Sequence, residues 1–183
     1  MTVLIRIADA IDRLNERFGQ VLFWLTLGMV LVGSFNAIVR YLDRYTGFGL
    51  SSNMYLELQW YLFAMVFLLG AAYTLKHDAH VRVDVLFSKL SDRGRAIVNL
   101  AGVILFLIPF CVLMIVVSVP AVQNSWAVFE MSPDPGGLPR YPIKTVIPIA
   151  FVLVLLQGIS MGIRQIAILL GIESISELEE EAG

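Results

Sequence analysis

Two charged residues stand where charge is costly. Arg40 closes the first of four long apolar runs, and Glu57 opens the second. On a hairpin of two helices they would reach similar depth, so an ion pair across the hairpin is open to them. Charges beside hydrocarbon are expensive unless paired or hydrated, which makes such residues default functional candidates. Two other readings compete with pairing. Each side chain could snorkel to nearby water, or the charges could act on a passing solute.

His77 and His80 form an HxxH spacing beside Asp78 and Asp84, with Arg82 between them. Histidine and carboxylate are common metal ligands. The chain has only two histidines, however, and both fall in one loop with no cysteine near. A structural or headgroup-facing loop is therefore expected, with His80, Arg82 and Asp84 as interface candidates. A haem held between spans would need histidine inside them, and the spans have none. Cys111 is the one cysteine, so it forms no internal disulfide and no CxxC pair. Neither GxxxxGK[ST] nor GxGxxG occurs. No Ser-His-acid or Cys-His set falls at membrane depth. The expectation is a non-enzyme without cofactor, substrate site or metal site.

The elements that position these residues follow from composition. Of 183 residues, 58% are hydrophobic, more than the roughly 45–50% of a soluble domain. A chain this short cannot hide that surface in its own core. The formal net charge of -2 supplies no field for nucleic acid. Four runs, at about 18–39, 55–75, 96–119 and 146–170, are long enough to cross hydrocarbon of about 30 Å as helices. Lipid leaves no water for unpaired backbone groups, and the runs lack the alternation of barrel strands. The first run is too long for a secretory signal core and lacks a cleavage site. An all-α membrane protein with four transmembrane helices is predicted.

Four spans put the N-terminus, the middle loop and the C-terminus on one side. That side carries nine of the 13 Lys and Arg residues, the other Arg40, Arg44, Arg140 and Lys144. Both termini are therefore expected in the cytoplasm, in a multi-pass protein of a bacterial inner membrane. Tyr41, Tyr45, Phe48, Tyr55, Trp60 and Tyr61, with Trp126, Phe129 and Tyr141, would mark the outer headgroups, and Trp24 and Tyr73 the inner ones.

Shorter signals fill in the rest. In residues 1–17, Leu4, Ile7, Ile11 and Leu14, continued by Phe18, repeat at helical spacing among charges, which predicts an amphipathic helix on the membrane or a partner. Val83, Leu86, Phe87 and Leu90 predict a short surface helix in the middle loop. Ser91 or Asp92 is placed to cap the third helix, and Pro109 to bend it. Gly158 and Gly162 form GxxxG beside Gln157 and Ser160, so this face of the fourth helix should meet protein. Arg164 lies near that helix's end, as an anchor, and Gly171 should stop it. The acidic tail 171–183 should be solvated. Between the third and fourth helices, Trp126, Glu130 and the run Ser132-Pro133-Asp134-Pro135-Gly136-Gly137-Leu138-Pro139-Arg140 make a rigid, turn-rich outer loop, a candidate docking surface or a plain connector.

The stretch Leu69-Gly70-Ala71-Ala72-Tyr73-Thr74-Leu75, followed by His80-Val81-Arg82-Val83-Asp84-Val85, resembles the small permease subunit of TRAP transporters, the DctQ-like family. So does the series Trp126, Glu130-Met131-Ser132, Gly137-Leu138-Pro139, Lys144, Pro148 and Leu156-Gln157-Gly158. The likeness spans roughly 15–170. It implies a secondary transporter in which a periplasmic substrate-binding protein captures a solute, often an organic acid. A large permease subunit then moves it inward on a sodium gradient by an elevator-like motion. The small subunit is implied to bind the large one and enlarge its stationary scaffold, with membrane lipids around it. Two other readings are a small homo-oligomeric channel or exporter, and a membrane anchor of a redox complex. The first needs a polar stripe, and Asn36, Asn99, Gln157 and Ser160 are scattered.

Overall fold

The computed structural model describes residues 1–77 and 90–172. The loop residues His80, Arg82 and Asp84, the short helix expected around 83–90 and the acidic tail from Glu173 lie outside the described residues. Four helices are long and apolar enough to cross a membrane: α1 (Thr2–Thr46), α2 (Asn53–Lys76), α3 (Asp92–Ala127) and α4 (Arg140–Leu169). Each overlaps one of the expected spans, the fourth of which runs one residue past the end of α4. Among the described residues β-structure is limited to a single antiparallel bridge, Met131 with Pro139.

The helix ends follow local chemistry. Gly47 adopts a φ of 66° and its amide returns to the Asp43 carbonyl, closing α1. The Asp43 carboxylate then accepts the amides of Leu50 and Ser51 at 3.0 and 3.2 Å, which turns the chain toward α2. Ser52 caps α2 through the Met54 amide, and Ser91 caps α3 through the Gly94 amide. Gly171, at φ 71°, stops α4.

One expectation is corrected. Residues 1–17 are not a separate amphipathic helix. They are the start of α1, a single helix of 45 residues. Its length of about 66 Å is roughly twice the hydrocarbon thickness. The apolar stripe at Leu4, Ile7 and Leu14 is not the packed face either, since all three are exposed. The packed face carries Ala8, Asp12 and Asn15, which are buried. Polar groups can hold an interior position when bonded there, as both carboxylate oxygens of Asp12 and the Asn15 amide nitrogen are.

α3 departs from regular α-helix just before Pro109. Pro109 offers no amide to the turn before it. Val103–Leu107 widens into a π turn, in which the Ile108 amide reaches the Val103 carbonyl. Leu107 from this turn packs on Gly158 of α4, where a Cβ would lie 2.1 Å from Leu107 Cδ2. The close approach signalled by GxxxG is thus made inside this chain.

α4 is the central helix. It packs against α1, α2 and α3, while α1 also packs along α2. α1 and α2 run antiparallel in a constant register. Glu16 meets Lys76, Gly19 lies against Tyr73, Gly33 against Gln59, and Phe35 against Tyr55. Elsewhere α1 and α3 turn large apolar side chains outward, Phe23, Trp24, Leu31, Phe106, Phe110 and Val117 among them.

Candidate functional site: two polar clamps on the helix bundle

Among the described residues, the bonds that charged and amide side chains make between elements gather in two layers, an outer one at the α3–α4-loop end of the bundle and an inner one at the end where α1 begins. In the outer layer Glu57, one turn into α2, is 1% exposed. Its Oε2 accepts the Leu138 amide at 2.5 Å, and its Oε1 accepts the Ser132 hydroxyl and Arg140 Nη2, the latter at 3.3 Å. The Arg140 guanidinium also donates to Ser132 Oγ at 3.2 Å and lies 4.8 Å over the Trp60 ring. A buried carboxylate without such partners would be strongly destabilising.

The loop between α3 and α4 is built around that carboxylate. The Ser132 amide donates to the Leu138 carbonyl at 3.1 Å, and the Arg140 amide to Glu130 at 2.8 Å, which doubles the chain back on itself. Gly137 closes the fold. A Cβ there would stand 2.5 Å from Ser132 Cβ and 2.8 Å from Glu57 Oε2, so a side chain would push the loop off the carboxylate. Asn53 and Tyr61 of α2 hold the Pro135 and Pro139 carbonyls at 3.1 and 2.9 Å. At the loop's base Glu130 pairs with Lys144 and accepts Ser125 Oγ at 2.7 Å. The Lys144 ammonium and the Ser125 hydroxyl keep the Glu130 carboxyl below the usual carboxylate range. Trp126 Nε1 donates to Thr145 at 2.9 Å, and its ring meets Tyr141.

In the inner layer Arg164 of α4 donates from Nε and Nη2 to Asp12 Oδ2 at 3.0 and 2.8 Å, and from Nη2 to Asp9 at 3.0 Å. Asp12 Oδ1 accepts Gln157 Nε2 at 2.9 Å and Ser160 Oγ at 2.8 Å. Asn15 donates to Gln157 Oε1 at 2.6 Å. On the α2 side Lys76 and His77 both reach Glu16, at 2.5 and 3.1 Å. The two layers thus tie α1 to α4 and α2 at one end, and α2 to the α3–α4 loop and α4 at the other.

Measured along α2 from Glu57 to Lys76, the layers are about 29 Å apart. That matches a hydrocarbon core of about 30 Å. Ion pairs at that spacing fall within reach of headgroups and water at both faces of a bilayer that the bundle spans. They also do what apolar packing in lipid does poorly. Lipid tails are as apolar as leucine, so apolar faces alone set helix register weakly. Directional bonds at both ends hold the helices at one height.

Arg40 does not pair with Glu57. The α1–α2 register sets Glu57 near the level of Phe35, and Arg40 lies five residues beyond, roughly 8 Å further out. Arg40 is exposed and makes no ion pair among the described residues. Of the other candidates, Glu130 and Trp126 fall in the outer layer, Gln157 and Arg164 in the inner one, and Gly158 and Gly162 on the α4 face toward α3. Asp9, Asp12, Asn15, Glu16, Ser132 and Arg140 were not anticipated as a set. The signal for the inner group was present: Arg164 is the one cation inside an apolar run, and Asp9, Asp12 and Glu16 share one helical face.

The profile described as "Tripartite ATP-independent periplasmic transporters, DctQ component" matches residues 29–167. The chain belongs to this DctQ family. Comparison with curated proteins and with solved structures gives no match. A DctQ chain is a small membrane subunit of a TRAP transporter, and this one has four helices able to span. The matched stretch holds the whole outer clamp and the α2 and α4 partners of the inner one. The α1 partners, Asp9, Asp12, Asn15 and Glu16, precede it.

Proposed function

We propose that this DctQ chain is a rigid scaffold for the large TRAP permease subunit during sodium-driven symport of a small organic solute, a carboxylate by preference, delivered by a periplasmic substrate-binding protein. The observation that carries this reading is the pair of clamps about one bilayer thickness apart. In an elevator-type carrier one body slides while another stays still. The stationary body must resist tilt and axial slip, and bonds at both ends of the helices oppose both. The charged side chains of the two clamps are bonded across helices, which supports a role in rigidity in preference to lining a path for solute. The chain sits in this reading as a multi-pass protein of the inner membrane with both termini cytoplasmic, the arrangement favoured by its Lys and Arg distribution. It forms no bonds of its own with substrate.

Affinity purification of this chain from native membranes tests the assembly. A much larger polytopic protein should copurify at a fixed ratio. Recovery of the chain only as a monomer or homo-oligomer would count against the scaffold.

A further inference from the structure

The N-terminal part of α1 has three faces, and the bundle uses one. Ala8, Asp9, Asp12, Asn15 and Glu16 face α4 and α2, and the three carboxylates among them are bonded to Arg164, Lys76 and His77. Val3, Leu4, Ile7 and Leu14 form a second, exposed apolar face. Arg6, Arg13 and Arg17 form the third. At i, i+7 and i+11 they fall within about 40° of one another around the helix, about 120° from Asp12 and about 100° from Ile7. All three arginines are exposed and make no ion pair among the described residues. The acids of this segment are committed to the clamp, so the arginine stripe is locally uncompensated.

From this geometry we infer that Arg6, Arg13 and Arg17 form a binding stripe for anionic phospholipid headgroups in the leaflet beside the N-terminal end of α1. Three observations select this occupant. The stripe is positive along about 17 Å of helix, enough for more than one headgroup phosphate. The apolar face and the arginine stripe continue along the same helix into the outward-facing side chains of Val21 and Trp24, which meet acyl chains in a bilayer. The clamp lies near the hydrocarbon boundary, so residues 3–17 bracket the headgroup zone. Side chains on a helix lean toward its N-terminus, which here directs Arg13 and Arg17 away from the hydrocarbon. Guanidinium groups donate to phosphate oxygens in a bidentate fork. The inference goes beyond the scaffold reading and stands without it, because its readout needs this chain alone.

The test is lipid retention by the full chain. Reconstitute it in nanodiscs of equal phosphatidylglycerol and phosphatidylcholine, extract it into mild detergent, and count retained lipids by native mass spectrometry. A basic residue near an anionic surface strengthens attraction about fivefold. The unmodified chain should therefore retain phosphatidylglycerol over phosphatidylcholine by about tenfold or more. Replacing Arg6, Arg13 and Arg17 together by Gln should return the ratio to that of the bulk, while lysine at all three positions should keep most of the preference. Arg40→Gln, at the other end of α1, should leave it unchanged. If the triple variant proves unstable, salt gives the same reading on the unmodified chain, where about 0.5 M NaCl should weaken the preference. Equal retention of both lipids by the unmodified chain would overturn the inference. So would a well-folded triple Gln variant that keeps the preference, and in that case loss of a copurifying large subunit would mean the stripe faces protein.

Discussion

Arg140 reaches Glu57 across 83 residues of sequence, Nη2 to Oε1 at 3.3 Å, while Ser132 lies between them and bonds to both. This contact fastens the start of α4 to the start of α2 through a loop that would otherwise be free to swing. Glu57→Gln and Arg140→Met should each lower the thermal stability of the purified chain, and the double change should cost less than the sum. Arg40→Ala should stay within about 0.5 kcal/mol of the parent. Additive effects at 57 and 140, or a large effect at 40, would remove the pair from the account.

The inner clamp makes a second prediction. Asp12→Ala removes two of the hydrogen bonds that Arg164 donates, leaving it the Asp9 bond among its described carboxylate contacts, and strips Gln157 and Ser160 of a shared acceptor. Removing one partner of a buried ion pair costs about 3–5 kcal/mol. The loss should be local as well as global. Spin labels placed at Ala10 and on the exposed side of α4 should report a broadened distance distribution in the variant, and Asp12→Asn should restore part of the order.

Both clamps show how far the sequence could be read. The spans were legible because lipid demands long apolar helices, and length with composition is enough to find them. The helix ends at Ser91 and Gly171 were legible, since each acts within a few residues. Pro109 marked where α3 leaves regular helix, although the sequence pointed to a bend and the structure has a π turn. Pairings over more than a hundred residues, such as Asp12 with Arg164, had no local signature. Arg40 drew attention as a charge at a span end, but its register against α2 depends on where Gly19 and Gly33 let Tyr73 and Gln59 settle. The N-terminal segment misled for a related reason. Its apolar stripe is the stronger pattern by period, yet the bundle packs on the polar face, and a two-faced reading of the helix hid the arginine stripe.

Acid should loosen the outer loop through Glu130. Its carboxyl titrates below the usual range because Lys144 and Ser125 favour the charged form. A carboxylate whose folded pKa is depressed contributes stability above its unfolded value, near 4.3, and loses it as pH falls through the folded value. Thermal unfolding should therefore be insensitive to this group between about pH 6 and 8 and decline below about pH 4. Glu130→Gln should be less stable than the parent near neutrality and should flatten that acid limb. An unchanged acid limb in the variant would show that other carboxylates control it.

The packing of the π turn can be tested apart from charge. Gly158→Ala places a methyl against Leu107 Cδ2 and should destabilise by about 1–3 kcal/mol, the usual range for overpacking. Because the clash is with the end of a flexible side chain, Leu107→Ala in the same chain should recover part of the loss. Gly162→Ala, whose Cβ would find Val103 at an ordinary 3.7 Å, should cost less than Gly158→Ala. Equal costs at the two glycines would mean that α3 and α4 are not held at this register.

Solute uptake by proteoliposomes bears most directly on the scaffold. Vesicles would carry this chain, the large permease subunit, or both, with the soluble binding protein and a sodium gradient supplied outside. The account predicts uptake only when both membrane subunits are present, and none from this chain by itself. Uptake by this chain unaided, or equal uptake by the large subunit with and without it, would contradict the scaffold.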